Sequence, residues 1–259
     1  MTNQRTSVPT TDLAGQVALV TGATSGLGRR FAEVLAANGA RVVATGRRVE
    51  RLDSLATEID AAGGSCSPVQ LDVTDSDQIT NAVEHAESTF GPVTILVNCA
   101  GMPDAQHATK MSLDLIDNVF DTNLRAPYLL SCEVARRLIA HKLPGRIVNI
   151  SSINAFTYVG GRGGALYSIT KAGLNRLTES LAVEWARFDI NVNGIAPGMF
   201  VSEMTDGMIE RIGDVSRSFP RGRIGQPSQL DSTLLYLVSP ESEFVTGTVI
   251  KVDDGQTPR

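Results

Sequence analysis

The feature that most constrains this chain is an alternation. Short strand-like segments, several of them nearly continuous apolar runs, recur at Gln16–Val20, Arg41–Thr45, Ser65–Leu71, Val93–Val97, Gly145–Ile150, Ile190–Ile195 and Val249–Val252. Runs that stay apolar at consecutive positions suit strands buried on both faces, as in a parallel sheet. Between them lie stretches whose apolar residues fall at helical spacing. Phe31, Val34, Leu35 and Ala36 form one stripe, stopped by Asn38-Gly39, and Leu52, Leu55 and Ile59 mark another within Arg48–Ala62. Asp77–Phe90, Leu113–Lys142, Ala172–Arg187 and Pro227–Val238 read as further helices. Strand and helix in regular succession predict an α/β fold, a doubly wound parallel sheet of about seven strands with helices on both faces. Pro127 inside Leu113–Lys142 predicts a kink just upstream, close to Asn123. Met1–Asp12 reads as a flexible polar arm, and residues 13–259 carry no linker or composition shift, so one domain is expected. Met199–Phe219 reads as a mobile flap and Gly255–Arg259 as a tail.

Composition narrows the class by exclusion. With 42% apolar and 20% charged residues, the 259-residue chain has the makings of a soluble domain with a sizeable core. A net charge of −5 argues against a general nucleic-acid surface. Cys66, Cys99 and Cys132 are odd in number and widely spaced, and His85, His107 and His141 form no ligand pattern, so neither disulfides nor a metal site is expected. The N-terminus lacks a signal-peptide core and no apolar run reaches membrane-spanning length; a reducing, cytoplasmic setting without a membrane partner is the expectation.

Chemistry enters directly after the first strand, at Thr21-Gly22-Ala23-Thr24-Ser25-Gly26-Leu27-Gly28. A glycine turn between a strand and a helix presents backbone N–H groups to a pyrophosphate, and glycine permits the close approach. The second strand ends in Gly46, where an NAD-selective fold would carry an acidic residue for the ribose hydroxyls, and Arg47 and Arg48 follow. Guanidinium suits a phosphate, so NADP(H) is predicted, with Arg47 favoured as the contact and Arg48 more solvated. Asn98-Cys99-Ala100-Gly101 closes the fourth strand at its carboxyl end, where ligands bind in such sheets. Tyr167 and Lys171 lie four apart on one helix face. Forming a phenolate at pH 7 costs on the order of 4 kcal/mol. A positive charge about 4 Å away offers roughly that much at an effective dielectric near 20. The pair is thus a candidate acid/base device, although such spacing also arises by chance on amphipathic helices.

Taken together, TGATSGLG at residues 21–28, NCAG at 98–101, Asn123, the pair Ser151-Ser152, YSITK at 167–171 and Pro197-Gly198 resemble the short-chain dehydrogenase/reductase family in its single-domain branch. The resemblance spans roughly Leu13 to Gly255 and is nearest in character to 3-oxoacyl-carrier-protein-reductase-like and sugar-alcohol-dehydrogenase-like members. It implies a Rossmann-like fold, an NADP(H)-linked ketone or secondary-alcohol oxidoreductase, and a homotetramer. It also implies roles. Tyr167 is the acid/base, Lys171 lowers its pKa and holds the nicotinamide ribose, Ser152 donates to the substrate oxygen, and Asn123 positions a water of the proton path.

Cofactor contacts implied in the same way are Thr21, Gly22, Thr24, Ser25, Gly26, Leu27, Gly28, Arg47, Arg48, Asp72, Val73, Asn98, Ala100, Gly101, Pro197, Gly198 and Ser202, besides Tyr167 and Lys171. Ser25 stands where NADP-preferring relatives often carry a basic residue, so moderate selectivity is expected. Successive strand residues face opposite ways, so one serine of the pair faces the cofactor; the family pattern favours Ser152, fifteen residues before Tyr167 and two more than the commonest spacing. Asn154, Phe156, Tyr158, Met199 and Met204 are candidate substrate contacts, their apolar members favouring ketones over highly charged sugars. Three other readings compete. They are a catalytically idle NADP-binding scaffold, a 3-oxoacyl-thioester reductase of fatty-acid type, and an epimerase or dehydratase. The intact Ser, Tyr, Lys and Asn set argues against the first, and the short stretch after Val238 against the last.

Overall fold

A computed structural model describes residues 11–104, 106–158 and 163–257. Seven strands, β1 (Val17–Thr21), β2 (Arg41–Gly46), β3 (Ser65–Gln70), β4 (Ile95–Asn98), β5 (Gly145–Ile150), β6 (Ile190–Pro197) and β7 (Val249–Val252), form one sheet in the order β3-β2-β1-β4-β5-β6-β7. Every neighbouring pair is parallel. The order reverses direction between β1 and β4, and a crevice opens there at the carboxyl ends of the strands.

The apolar runs are explained by the two cores they serve. Ala18, Val20, Val42, Ala44, Ile95, Val97 and Val148 point to one face, where Phe31 and Leu35 of α1 (Gly26–Ala37), Leu52 and Leu55 of α2 (Val49–Ala61) and Leu234 of α8 (Asp231–Val238) cover them. Val17, Leu19, Val43, Leu96 and Ile147 point to the other. There they meet Ile79 and Val83 of α3 (Ser76–Phe90), Leu130 and Val134 of α5 (Ala126–His141), and Leu181 and Trp185 of α6 (Ala165–Trp185). Each fully buried side chain of this kind contributes roughly 1.5–3 kcal/mol. That alternation keeps the central strands in register.

The structure refines several expectations. The helical stretch after β4 divides into α4 (Leu113–Phe120), a π-turn at Asp121–Arg125 and α5, rather than kinking as one helix. Pro127 has no N–H for the Asn123 carbonyl four residues back and its ring crowds that carbonyl; the wider turn relieves the crowding. The segment Pro227–Val238 opens with a 3-10 turn at Pro227–Leu230 before α8 begins. The segment Met199–Phe219 is more anchored than a free flap. Phe200 is buried and bridges to Gly225, and α7 (Glu203–Ile212) follows. The tail is likewise tied back: Met199 N–H donates to Gln256 Oε1 at 2.7 Å, and Asp253 accepts bonds from Thr257. Of the expected N-terminal arm, Met1–Thr10 lies outside the described residues, while Thr11 N–H donates to Asn38 Oδ1 at 2.7 Å. No helix among the described residues is long and apolar enough to cross a membrane.

The turn after β1 is held by backbone proximity. Gly22 has φ +71°, and a Cβ there would stand 2.9 Å from Ala100 Cα in the β4 loop. Gly22→Ala should therefore destabilise the protein by about 2–3 kcal/mol, from left-handed backbone strain and overlap together. At Gly63, also at positive φ but with open space around it, alanine should cost only about 1 kcal/mol. Chemical denaturation of the two variants checks this ordering.

Candidate active site

A cavity of about 780 Å³ runs along the carboxyl ends of β1, β2, β4 and β5. Its middle is the N-terminus of α1, where Gly26, Leu27 and Gly28 line the wall and the first turn carries no acidic residue. Thr21 does not reach the cavity. Its Oγ1 accepts the N–H groups of Cys99 and Ala100, both at 3.0 Å, and so stitches β1 to the loop after β4. Asn98 is also structural: its amide donates to Asn149 Oδ1 at 2.8 Å and Ser131 Oγ at 3.2 Å, binding β4 to β5 and α5. Gly22, Thr24, Ser25, Asp72, Val73, Ala100, Gly101, Pro197, Gly198 and Ser202 do line the wall. Asp72 shapes its own loop, with Oδ1 accepting the N–H and hydroxyl of Thr74.

At one end of the cavity the two arginines behave differently from expectation. Arg48, rather than Arg47, is the one turned into a network, with Nη2 donating to Thr24 Oγ1 at 2.7 Å and Ser25 Oγ at 2.9 Å. Arg47 lines the same end, and its backbone carbonyl accepts from Gln70 at 3.3 Å. The reason is local: Arg48 is the residue that caps α2, so its side chain leaves the helix start toward the glycine turn.

At the other end stand Ser152, Tyr167 and Lys171. Both serines line the cavity, but the Ser151 hydroxyl is taken up by Asn175 Oδ1 of α6 at 2.5 Å, whereas Ser152 Oγ accepts the Asn154 N–H at 3.1 Å and lies beside the Tyr167 phenol. Burial pushes the Tyr167 phenol above its ordinary pKa, a shift that the Ser152 bond partly offsets. The side chain nevertheless keeps a partly open face on the cavity. Lys171 Nζ donates to the Ile150 carbonyl at 2.7 Å and lies 5.7 Å from the centre of the Tyr167 ring. Its burial lowers the ammonium pKa from 10.5 to about 8. Burial is the largest influence on the Tyr167 phenol here, and it acts against the lowering expected from Lys171.

Asn123, fully buried in the π-turn, is committed to structure through its side chain. Oδ1 accepts Met102 N–H and Nδ2 donates to Met102 O, both at 2.9 Å. A Cβ at Gly101 would sit within 4 Å of both Asn123 Oδ1 and Lys171 Nζ, so the glycine keeps the space between them open.

Sequence reasoning missed Asp104. Its Oδ2 accepts the Tyr167 backbone N–H at 2.6 Å, while Oδ1 is buried with no partner among the described residues. A carboxylate at the first turn of α6 suits the helix dipole and fixes where that helix begins. Its only sequence signal was an acid three residues after Gly101. The substrate side also differs from expectation. Met204 lines the cavity together with Met102, Pro103 and Phe200, whereas Asn154, Phe156, Tyr158 and Met199 do not. Phe156 instead lies under the Lys251 ammonium at 4.9 Å, and Tyr158 is half exposed.

Comparison with known proteins agrees with this geometry. The model of the family described as short chain dehydrogenase matches residues 16–212. Gluconate 5-dehydrogenase of Gluconobacter oxydans is 38% identical over 95% of this chain and 96% of its own length. The 3-oxoacyl-[acyl-carrier-protein] reductase of Thermotoga maritima is 36% identical over 94% and 98%. An actinorhodin polyketide ketoreductase variant, whose crystal structure contains NADPH, superposes with a TM-score of 0.89 at 31% identity, covering 93% of this chain and 97% of that one. The chain belongs to the short-chain dehydrogenase/reductase family. It is an oxidoreductase of alcohol and carbonyl groups.

Two expectations follow from the site. Ser152→Ala should lower turnover by on the order of 10²-fold, the scale for one donor to developing charge, and Ser151→Ala by far less; steady-state rates of the purified variants decide it. The second concerns Lys171. Its folded pKa of about 8 lies below the unfolded value, so between pH 8 and 10.5 the unfolded chain binds more protons and stability rises with pH. Below pH 8 the buried charge costs on the order of 3 kcal/mol. Lys171→Met should therefore raise the melting temperature at pH 7 by several degrees and flatten its rise above pH 8, as calorimetry would record.

Proposed function

We propose that the protein transfers a hydride between NADP(H) and a ketone or secondary alcohol, with Tyr167 as acid/base. The observation that carries this is one cavity lined by Ser152, Tyr167 and Lys171 at one end and Arg47 and Arg48 at the other, with the N-terminus of α1 between them. An extended dinucleotide phosphate fits that order of groups. N–H groups of the α1 turn would hold its pyrophosphate, guanidinium groups its 2′-phosphate, and Lys171 its nicotinamide ribose. Gly28 belongs to this fit, since a Cβ there would collide with the Gly22 carbonyl and close the turn. The bound nicotinamide supplies or accepts the hydride at its C4.

The protein's share is orientation and proton transfer. Ser152 donates to the substrate oxygen, stabilising the charge that develops on it in reduction. Tyr167 then gives its phenolic proton to that oxygen; in oxidation its phenolate removes the proton. The raised pKa of the free protein keeps Tyr167 protonated and ready for reduction at neutral pH. Lys171, held by the Ile150 carbonyl, faces the phenol that must lose and regain a proton. Asn123, locked to Met102, holds the π-turn at which a relay water would stand near Lys171.

Met102, Pro103 and Met204 give the substrate end an apolar wall, which supports ketones or 3-oxo esters over densely hydroxylated, charged sugars. Assembly as a homotetramer belongs to the same reading, supported by exposed Phe120, Tyr128, Ile169 and Val183 on α4, α5 and α6. Tyr167→Phe tests the acid/base role. It should reduce NADPH-driven turnover of a ketone panel at least 10³-fold while NADPH binding, followed by nucleotide fluorescence, stays nearly unchanged. Retained turnover in this variant would overturn the assignment.

A further inference from the structure

Glu203, the first residue of α7, reaches away from its own helix. Ser25 Oγ donates to its carboxylate at 3.0 Å, Arg48 Nη1 stands 3.0 Å from Oε2, and Arg51 Nη1 binds Oε1. The guanidinium groups of Arg48 and Arg51 at the start of α2 and a hydroxyl of the glycine turn thus converge on one anion whose residue lies 155 positions after Arg48. These contacts hold the carboxyl below its usual pKa, the Arg51 bond most of all. An acid at a helix start is ordinarily explained by the dipole or by capping. Here the cap is supplied separately, since Ser202 Oγ accepts the Thr205 N–H at 3.2 Å. Glu203, Ser25 and Arg48 also line the same end of the cavity as Gly46 and Arg47. All three members of the ion pairs are about half exposed, so the contact is cheap to break.

We infer that Glu203 is an intramolecular stand-in for the cofactor's 2′-phosphate: it occupies the guanidinium receptor of the free protein, competes with that phosphate, and by leaving releases α7 from the glycine turn. The inference rests on the NADP(H) reading above and extends it to a residue that sets the strength of cofactor choice. A phosphate monoester is the stronger anion for a forked pair of guanidinium groups, so it wins the receptor. The displaced carboxylate then stays close to a like charge, and part of the phosphate's binding advantage is lost. A cofactor lacking the 2′-phosphate does not force this exchange, so Glu203 narrows the gap between NADP(H) and NAD(H). It also makes the position of α7 depend on which cofactor is bound, and α7 carries Met204 of the substrate wall.

The test separates the adenine end from catalysis by using 2′-phospho-ADP-ribose and ADP-ribose, neither of which has a nicotinamide. Calorimetric titration of the wild type should show tighter binding of the phosphorylated ligand, and Arg48→Ala should remove most of that difference. Glu203→Gln should tighten 2′-phospho-ADP-ribose about fivefold, the scale of one exposed ion pair, and leave ADP-ribose unchanged. Hydrogen exchange provides a second readout. Over residues 203–212 the wild type should exchange faster with the phosphorylated ligand than with ADP-ribose, and Glu203→Gln should show no such difference. Equal binding of both ligands by the wild type, unaffected by Arg48→Ala, would overturn the 2′-phosphate reading itself. A wild type that prefers the phosphorylated ligand, with Glu203→Gln unchanged or weaker, would overturn the stand-in role alone.

Discussion

The ammonium of Lys171, buried at the carboxyl end of β5, is the interaction on which the site depends. A buried charge needs partners, and the Ile150 carbonyl is its close acceptor, at 2.7 Å. That bond fixes α6 against the last residue of β5. It therefore also fixes Tyr167, one turn earlier, beside Ser152. The same helix is held from its start by Asp104 and from its far side by the Ser151–Asn175 bond. Three contacts, two from the end of β5 and one from the loop after β4, position one phenol. Stability is given up at Lys171 so that an ionisable group can sit where the chemistry needs it.

The cavity that this phenol faces exists because of how closely two turns approach. The turn after β1 touches the loop after β4 through Gly22 and Ala100, and Thr21 accepts two N–H groups of that loop. In a parallel sheet whose strand order reverses between β1 and β4, these loops leave in opposite directions and a crevice is left between them. The helix dipole of α1, the π-turn at Asn123 and the end of β5 all open onto it. A single groove thereby brings phosphate-binding backbone and proton-transfer side chains within the length of one dinucleotide.

The adenine end follows another logic, that of exposed charge. Arg48, Arg51 and Glu203 are about half exposed, and the ion pairs they form exchange readily with other anions. Rigid contacts govern the catalytic end, while replaceable ones govern the end that selects the cofactor. The two communicate through α7, which begins at Glu203 and contributes Met204 to the cavity wall. If Glu203 competes with the cofactor's 2′-phosphate as inferred, cofactor choice and substrate fit would be joined in one short helix.

Much of this was legible in the chain before folding. The apolar runs of the central strands, the glycine turn and the four-residue spacing of Tyr167 and Lys171 are local patterns, and local geometry obliges them: a strand buried on both faces must be apolar throughout, and a helix places residues four apart on one face. Alternation along β5 also implied that only one serine of the pair could face the cavity. Both line the cavity, and it is Asn175, a residue of another element, that takes up the Ser151 hydroxyl. Contacts between distant loops stayed hidden. Asp104 meets the start of a helix 63 positions later, and Glu203 meets Arg48 across 155. Phe156 looked suited to a substrate pocket but lies instead beneath Lys251 of β7. Periodicity records which face of an element is buried. The direction in which a loop side chain points is set by whatever the fold packs beside it, and only the tertiary structure supplies that neighbour.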